Sequence, residues 1–218
     1  MKTQILCFLV LTLVTTYGGE KLKPTHLKPG KILFQSDFST TTTLDKTHWQ
    51  PRQGTRWAIG AGVLKGIPSS PEYQTKKKAT GKGHIGNVPR IYLLNVPKDY
   101  ILSYRFKLEG GRQSKAVPLV EFGHHITRVF FSPEGPRLLI DHEKKTLAKI
   151  GTPLQLGQWY NVLVEVQGDS VVVQIESIGT LQGKDPFIGK SDRPMVGFTG
   201  NVNGTLYLDD IRLVSIAK

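Results

Sequence analysis

A carboxylate, a guanidinium and an imidazole, Glu121, Arg128 and His142, fall within one short stretch of the chain. In Val117 to Phe122 successive side chains alternate, so Pro118, Val120 and Phe122 share one face and Glu121 shares the other with Val117 and Leu119. After Gly123-His124-His125 the chain returns through Arg128 and reaches Asp141-His142-Glu143. On one concave face, Glu121, Arg128 and His142 would supply a carboxylate, a fixed cation and a group titrating near neutrality. That set suits a sugar site in a groove; its rival is a surface ion pair flanked by turn histidines. His124 and His125 could share a metal ion only within a turn, because neighbours on a strand point apart. Together with Trp49 they are candidate carbohydrate contacts, Trp49 stacking a sugar ring from the loop His48 to Gly54, with core packing as its other reading.

The elements that must position these groups read as strands. Candidates are Ile32 to Phe38, Trp57 to Lys65, Arg90 to Asn95, Tyr100 to Leu108, Val117 to Phe122, Ile126 to Ser132, Arg137 to Asp141, Trp159 to Gln167, Ser170 to Glu176, Met195 to Thr199 and Thr205 to Ser215. In Tyr100 to Leu108 the even positions are apolar or aromatic while Ser103, Arg105 and Lys107 face the other way. Val162, Val164 and Val166 repeat the pattern before Gly168-Asp169 turns the chain into the next strand. No window holds a helical spacing long enough to bury a helix. The expected fold is all-β, an antiparallel jelly-roll β-sandwich over residues 32–218. Trp57 and Trp159 are expected in its core. Glu72 to His84, carrying Lys76-Lys77-Lys78 and Lys82, reads as a mobile loop, and the basic stretch up to Lys31 as an exposed lead-in.

The chain has 218 residues, 29 Lys+Arg against 17 Asp+Glu and a formal charge of +12. Its one cysteine, Cys7, rules out a disulfide scaffold, a zinc ribbon and a cysteine nucleophile in the folded domain. Cys7 lies in an apolar run, Ile5 to Val14, that follows Lys2 and precedes small residues, the pattern of a signal peptide ending at Gly18. The run is shorter than the roughly 20 residues of a membrane span, so no transmembrane anchor is expected after cleavage. The protein is expected to be secreted, periplasmic or extracellular. The positive charge suits anionic polysaccharide or an anionic surface; nucleic acid is not expected, for lack of interleaved aromatics or a groove-entering helix. Asn203-Gly204-Thr205 reads as a glycosylation sequon or as a positive-φ turn.

Several phrases resemble the concanavalin A-like lectin/glucanase sandwiches, and within them the 3-keto-disaccharide hydrolase and laminin-G-like domains. They are Ile32 to Phe38, then Trp49 and Arg56 to Gly66, Asp99-Tyr100 to Leu108, Gly157-Gln158-Trp159-Tyr160-Asn161-Val162, and Gly204 to Leu213. The resemblance implies a jelly roll that handles carbohydrate. It further implies a structural calcium ion on Asp37, Asp209 and Asp210, for which turn capping or pairing with Arg212 is the alternative. For a 3-keto-glycoside it implies elimination, with Glu121 or His142 as base and Arg128 or a bound cation polarising the ketone. Ser114 to Val117 and Gly197 to Gly200 depart from that branch's Asn-Ser-Gly-Val-like and Leu-Gln-x-His-Gly-like segments. The Glu-x-Asp-x-x-Glu strand of β-glucanases is absent, which argues against a retaining glucanase and its carboxylates about 5 to 5.5 Å apart. A glycan-binding or cell-surface module is therefore the leading expectation, ahead of a keto-glycoside hydrolase or lyase and an envelope protein-interaction module.

Overall fold

The computed structural model describes residues 22–81, 83–141 and 143–217. The expected signal peptide, Lys82 and the candidate catalytic His142 lie outside the described residues.

Two antiparallel sheets make the domain. The eight-stranded sheet runs β13 (Gly179–Lys184), β12 (Ser170–Ile175), β11 (Trp159–Gln167), β6 (Tyr100–Glu109), β15 (Thr205–Ile216), β4 (Val63–Ile67), β3 (Arg56–Gly60), with β1 (Pro29–Ser36) also beside β15. The seven-stranded sheet runs β10 (Lys145–Lys149), β9 (Gly135–Ile140), β8 (Thr127–Ser132), β7 (Leu119–Phe122), β14 (Val196–Thr199), β5 (Arg90–Leu93), β2 (Trp49–Pro51). Alternation decides which side chains meet between them. Leu102, Tyr104, Phe106 and Leu108 of β6 enter the core, and Ser103, Arg105 and Lys107 do not. Tyr104 meets Phe198 edge-on at 5.1 Å and Phe106 lies 5.0 Å from Phe131, so the inner faces of the two sheets interlock through aromatic rings.

Several expectations needed correction. Trp57 to Lys65 is not one strand but the β3–β4 hairpin, because Ala61 and Gly62 both take positive φ and reverse the chain. Glu72 to His84 is largely a helix, α1 (Pro71–Thr80), which buries no residue and so leaves no apolar period to read. Its ends are nonetheless specified: Ser70 caps the Tyr73 N–H, Pro71 opens the first turn, and Gly81 closes the last at φ 60. The lead-in is exposed over most of its length and is also docked on the sheet. Leu22 and Leu27 pack on Ile101, Leu163 and Val214, and the buried Glu165 accepts the backbone N–H groups of Thr25, His26 and Leu27.

β15 changes partner midway, pairing β4 through Leu206–Leu208 and β1 from Ile211 onward. The change coincides with a register shift against β6 between Asp209 and Arg212, where Asp210 takes φ 49.

Candidate functional site

The outer face of the seven-stranded sheet carries two rows of side chains. Register places Tyr92, Gly197, Glu121, Arg128 and Leu139 in one line across β5, β14, β7, β8 and β9. The parallel line runs Arg90, Thr199, Leu119, Phe130 and Arg137. Arg90 donates through Nε to Thr199 Oγ1 at 3.0 Å, and Leu119, Phe130 and Leu139 form a small apolar cluster with Val117.

Glu121 points to this outer face, as its parity predicts, and is 0% exposed. Arg128 stands directly across from it, with Nη2 3.0 Å from Glu121 Oε2 and Nη1 2.8 Å from Asp141 Oδ1. The expected surface pair is thus a buried one, and it is part of a network, because Arg128 also donates to His125 Nδ1. Glu121 Oε1 remains, buried and without a hydrogen-bond partner among the described residues. An unsatisfied buried carboxylate oxygen is costly, which makes it a marker of a group awaiting a donor.

Gly197 explains how the carboxylate lies flat on the sheet. A Cβ there would stand 2.7 Å from Glu121 Cγ, 2.8 Å from Oε1 and 3.1 Å from Tyr92 Cε1. Cations and imidazoles border this floor. Arg52 lies over the Tyr92 ring at 5.2 Å, and His124 meets the same ring edge-on at 6.2 Å, with the His125 ring 4.1 Å beyond. Burial lowers the pKa of His124, and His125, Arg193 and Arg128 push it the same way while Glu121 opposes them. Burial also lowers that of His84, helped by Arg90, His125 and Arg128. Tyr92 titrates above its ordinary range because of burial and the nearby Glu121.

Of the candidate residues, the structure brings Glu121, Arg128, His124 and His125 together. Trp49 is elsewhere. It is 2% exposed in β2, packed against Phe38 and Phe198 in the core, so it is a core residue and not a sugar-stacking loop residue. Trp159, expected in the core, instead lies on the outer face of the other sheet, with the Arg105 guanidinium 4.8 Å from its ring. Asp37 caps Ser39 at 3.0 Å, Asp209 receives Arg105 Nε at 3.0 Å, and Asp210 Oδ2 lies 3.1 Å from the same nitrogen. Among the described residues no group of three or more His, Cys, Asp or Glu side chains is arranged to hold a metal ion. Tyr92, Gly197 and Asp141 were not singled out from sequence. For Tyr92 a signal exists, since Arg90 and Tyr92 alternate with the core residues Ile91 and Leu93.

No protein-family model matches the chain, and no curated protein sequence matches it. Solved structures do. A sialidase superimposes with TM-score 0.59 at 10% identity over 86% of this chain, which spans only 19% of the sialidase. A non-specific endo-β-1,3(4)-glucanase gives 0.59 at 12% identity, covering 89% of this chain and 95% of that one. Domain 4 of an extracellular arabinanase from Geobacillus stearothermophilus, solved with arabinotriose, gives 0.56 at 13% identity over 87% and 95%. The fold is a concanavalin A-like jelly-roll sandwich. In this jelly roll the Glu121 face has one carboxylate on β7 and a second, Asp141, just past β9, both held by Arg128 rather than free to flank a scissile bond. No helix among the described residues is long and apolar enough to cross a membrane.

Proposed function

We propose that the protein is a carbohydrate-binding module, exported to act outside the cytoplasm, that takes an acidic polysaccharide on the outer face of its seven-stranded sheet. The unpartnered Glu121 Oε1 carries this reading. A sugar hydroxyl is the donor that such an oxygen lacks, and it would satisfy the group without bringing a second charge to the floor. Arg52, Arg90, Arg128 and Arg193 outnumber Glu121 and Asp141 around it, so a carboxylate or sulfate on the sugar is favoured over a neutral ring. Oε1 is fully buried, so this reading requires the side chains over it to move aside as the ligand enters. Among the fold's neighbours, the arabinanase domain was solved with arabinotriose, which agrees with sugar binding by a sandwich of this kind. The test is calorimetric titration with neutral and acidic oligosaccharides of one length. Binding of the acidic series, weakened at least tenfold in Arg52→Gln, supports the reading; binding of neither series sinks it.

The same oxygen supports a second reading, elimination from a 3-keto-glycoside with Glu121 as base. The ketone acidifies the adjacent C–H, Oε1 takes that proton, and the glycosidic oxygen leaves with the electron pair. Turnover of 3-keto-glucosides that vanishes in Glu121→Gln would support it, and no turnover by the folded wild type would remove it.

A further inference from the structure

The helical excursion between β4 and β5 has no role in the core. No α1 residue is buried, yet the segment is held firmly: Ser69 donates its N–H to Gly86 O at 2.8 Å, and Ser69 Oγ donates to the same oxygen at 3.0 Å. Gly86, at φ +76, packs where a Cβ would stand 2.2 Å from Gln53 O, so the neck of the excursion is pressed against the loop that carries Arg52. A structured insertion that buries nothing of its own points to the surface it presents.

That surface is cationic. Lys76, Lys77 and Lys78 follow one another on α1, Lys76 and Lys78 fully at the surface, and none of the three is ion-paired among the described residues. The helix is joined to the loop that carries Arg52 by side-chain contacts. From the floor, Tyr92 lies under Arg52; the Gly54 two residues on leaves room for the Tyr73 ring, which a Cβ would approach to 2.6 Å; and Lys77 Nζ lies 5.7 Å over Tyr73. His84, just past α1, has its pKa lowered first by burial and then by the charges of Arg90, His125 and Arg128. Favourable placement of lysines in the last turn of a helix accounts for Lys77 and Lys78 only in part, since that effect is small and screened at an exposed site.

Resting on the carbohydrate reading above, we propose that Lys76–Lys78 form a cationic patch beyond the Arg52 loop and hold the repeating negative charge of an acidic polysaccharide that continues beyond the sugar seated over Glu121. The short site then selects the sugar and the helix selects chain length. Polyanion binding to clustered lysines releases condensed counterions, so this part of the affinity depends steeply on salt.

The experiment compares the wild type with a Lys76→Gln/Lys77→Gln/Lys78→Gln variant, glutamine keeping the helix propensity. Galacturonate oligosaccharides of two and of twelve residues, with a matching sulfated dextran series to separate carboxylate from sulfate, are titrated at low and high sodium chloride. The variant should lose about tenfold or more in affinity for the long chains of either anion, change less than twofold for the short ones, and show a salt slope shallower by about two to three. Equal binding of long chains by both proteins, or equal loss for short and long chains, overturns the inference while leaving the carbohydrate reading intact. A wild type that binds no saccharide overturns both. Lysine-dependent binding to anionic phospholipid vesicles, with none to the long saccharides, overturns it in favour of a membrane surface.

Discussion

Arg128 holds Glu121 from directly across the β7–β8 pair, with Nη2 3.0 Å from Oε2, and holds Asp141 Oδ1 at 2.8 Å with Nη1. The guanidinium therefore neutralises two carboxylates at once while leaving Glu121 Oε1 unmatched. Removing the cation strands both. Arg128→Ala is expected to cost about 3–5 kcal/mol in urea unfolding, the range for breaking a buried ion pair. Glu121→Gln, which keeps the shape and one acceptor, should cost distinctly less. Equal costs would mean that charge pairing is not what holds this face together.

Gly197→Ala tests the floor itself. The added methyl meets Glu121 and Tyr92 below 3.2 Å, so the carboxylate must move off the sheet. Overpacking of this kind is expected to cost about 1–3 kcal/mol, and saccharide affinity should fall together with stability. A variant that is destabilised but binds as tightly as the wild type would place the ligand elsewhere.

Acidification should weaken the fold in two separable windows. His124 and His84 titrate below the ordinary histidine range, chiefly because of burial, so the folded state prefers their neutral forms. Their contribution is complete above the unfolded value and is lost as pH falls below it. Asp45, drawn down to about 2 by hydrogen bonds from His48 and Thr47, contributes above the usual carboxylate range and loses that contribution as pH falls towards its folded value. Urea midpoints measured across pH should show the upper slope flattened in His124→Gln and the lower one unchanged. An unaltered upper slope would contradict the burial assigned to His124.

Glu165 anchors the amino-terminal strap. Burial pushes its pKa up, but the Thr25, His26 and Leu27 N–H groups outweigh that and leave it below the ordinary glutamate value. Glu165→Ala leaves those donors without their partner and should cost about 1–3 kcal/mol. Chymotrypsin should then cut after Leu27 much faster than in the wild type, while saccharide binding stays unchanged. Unchanged cleavage would mean that the strap is held by its other contacts, Leu22, Leu27 and the hydrogen bond from Gln174 to Lys23 O.

Alternation along single strands made part of this site legible. It placed Glu121 on the outer face and set the core positions of β6 and β11, because parity is a local property of the chain. The neighbours of Glu121 were not legible, since Tyr92 and Gly197 reach it only through the β5–β14–β7 order, and that pairing joins distant segments. Trp49 stayed open between sugar stacking and core packing for a related reason: a three-residue strand has too little pattern to show that it pairs with β5 and faces the core. Helix α1 was hidden because it buries nothing, although Ser70, Pro71 and Gly81 spelled its ends. The docking of Leu22 to Leu27 was not legible because its partner, Glu165, lies far away in sequence.

The central claim is that acidic sugar binds over Glu121, and amide chemical-shift mapping of the isotopically labelled protein during titration with an acidic oligosaccharide tests it most directly. The account predicts saturable shifts at Tyr92, Gly197, Glu121, Gly123, His124 and His125, with Lys76–Lys78 joining only for long chains. Shifts confined to the opposite sheet around Trp159 and Tyr207, or none at saturating ligand, would contradict it.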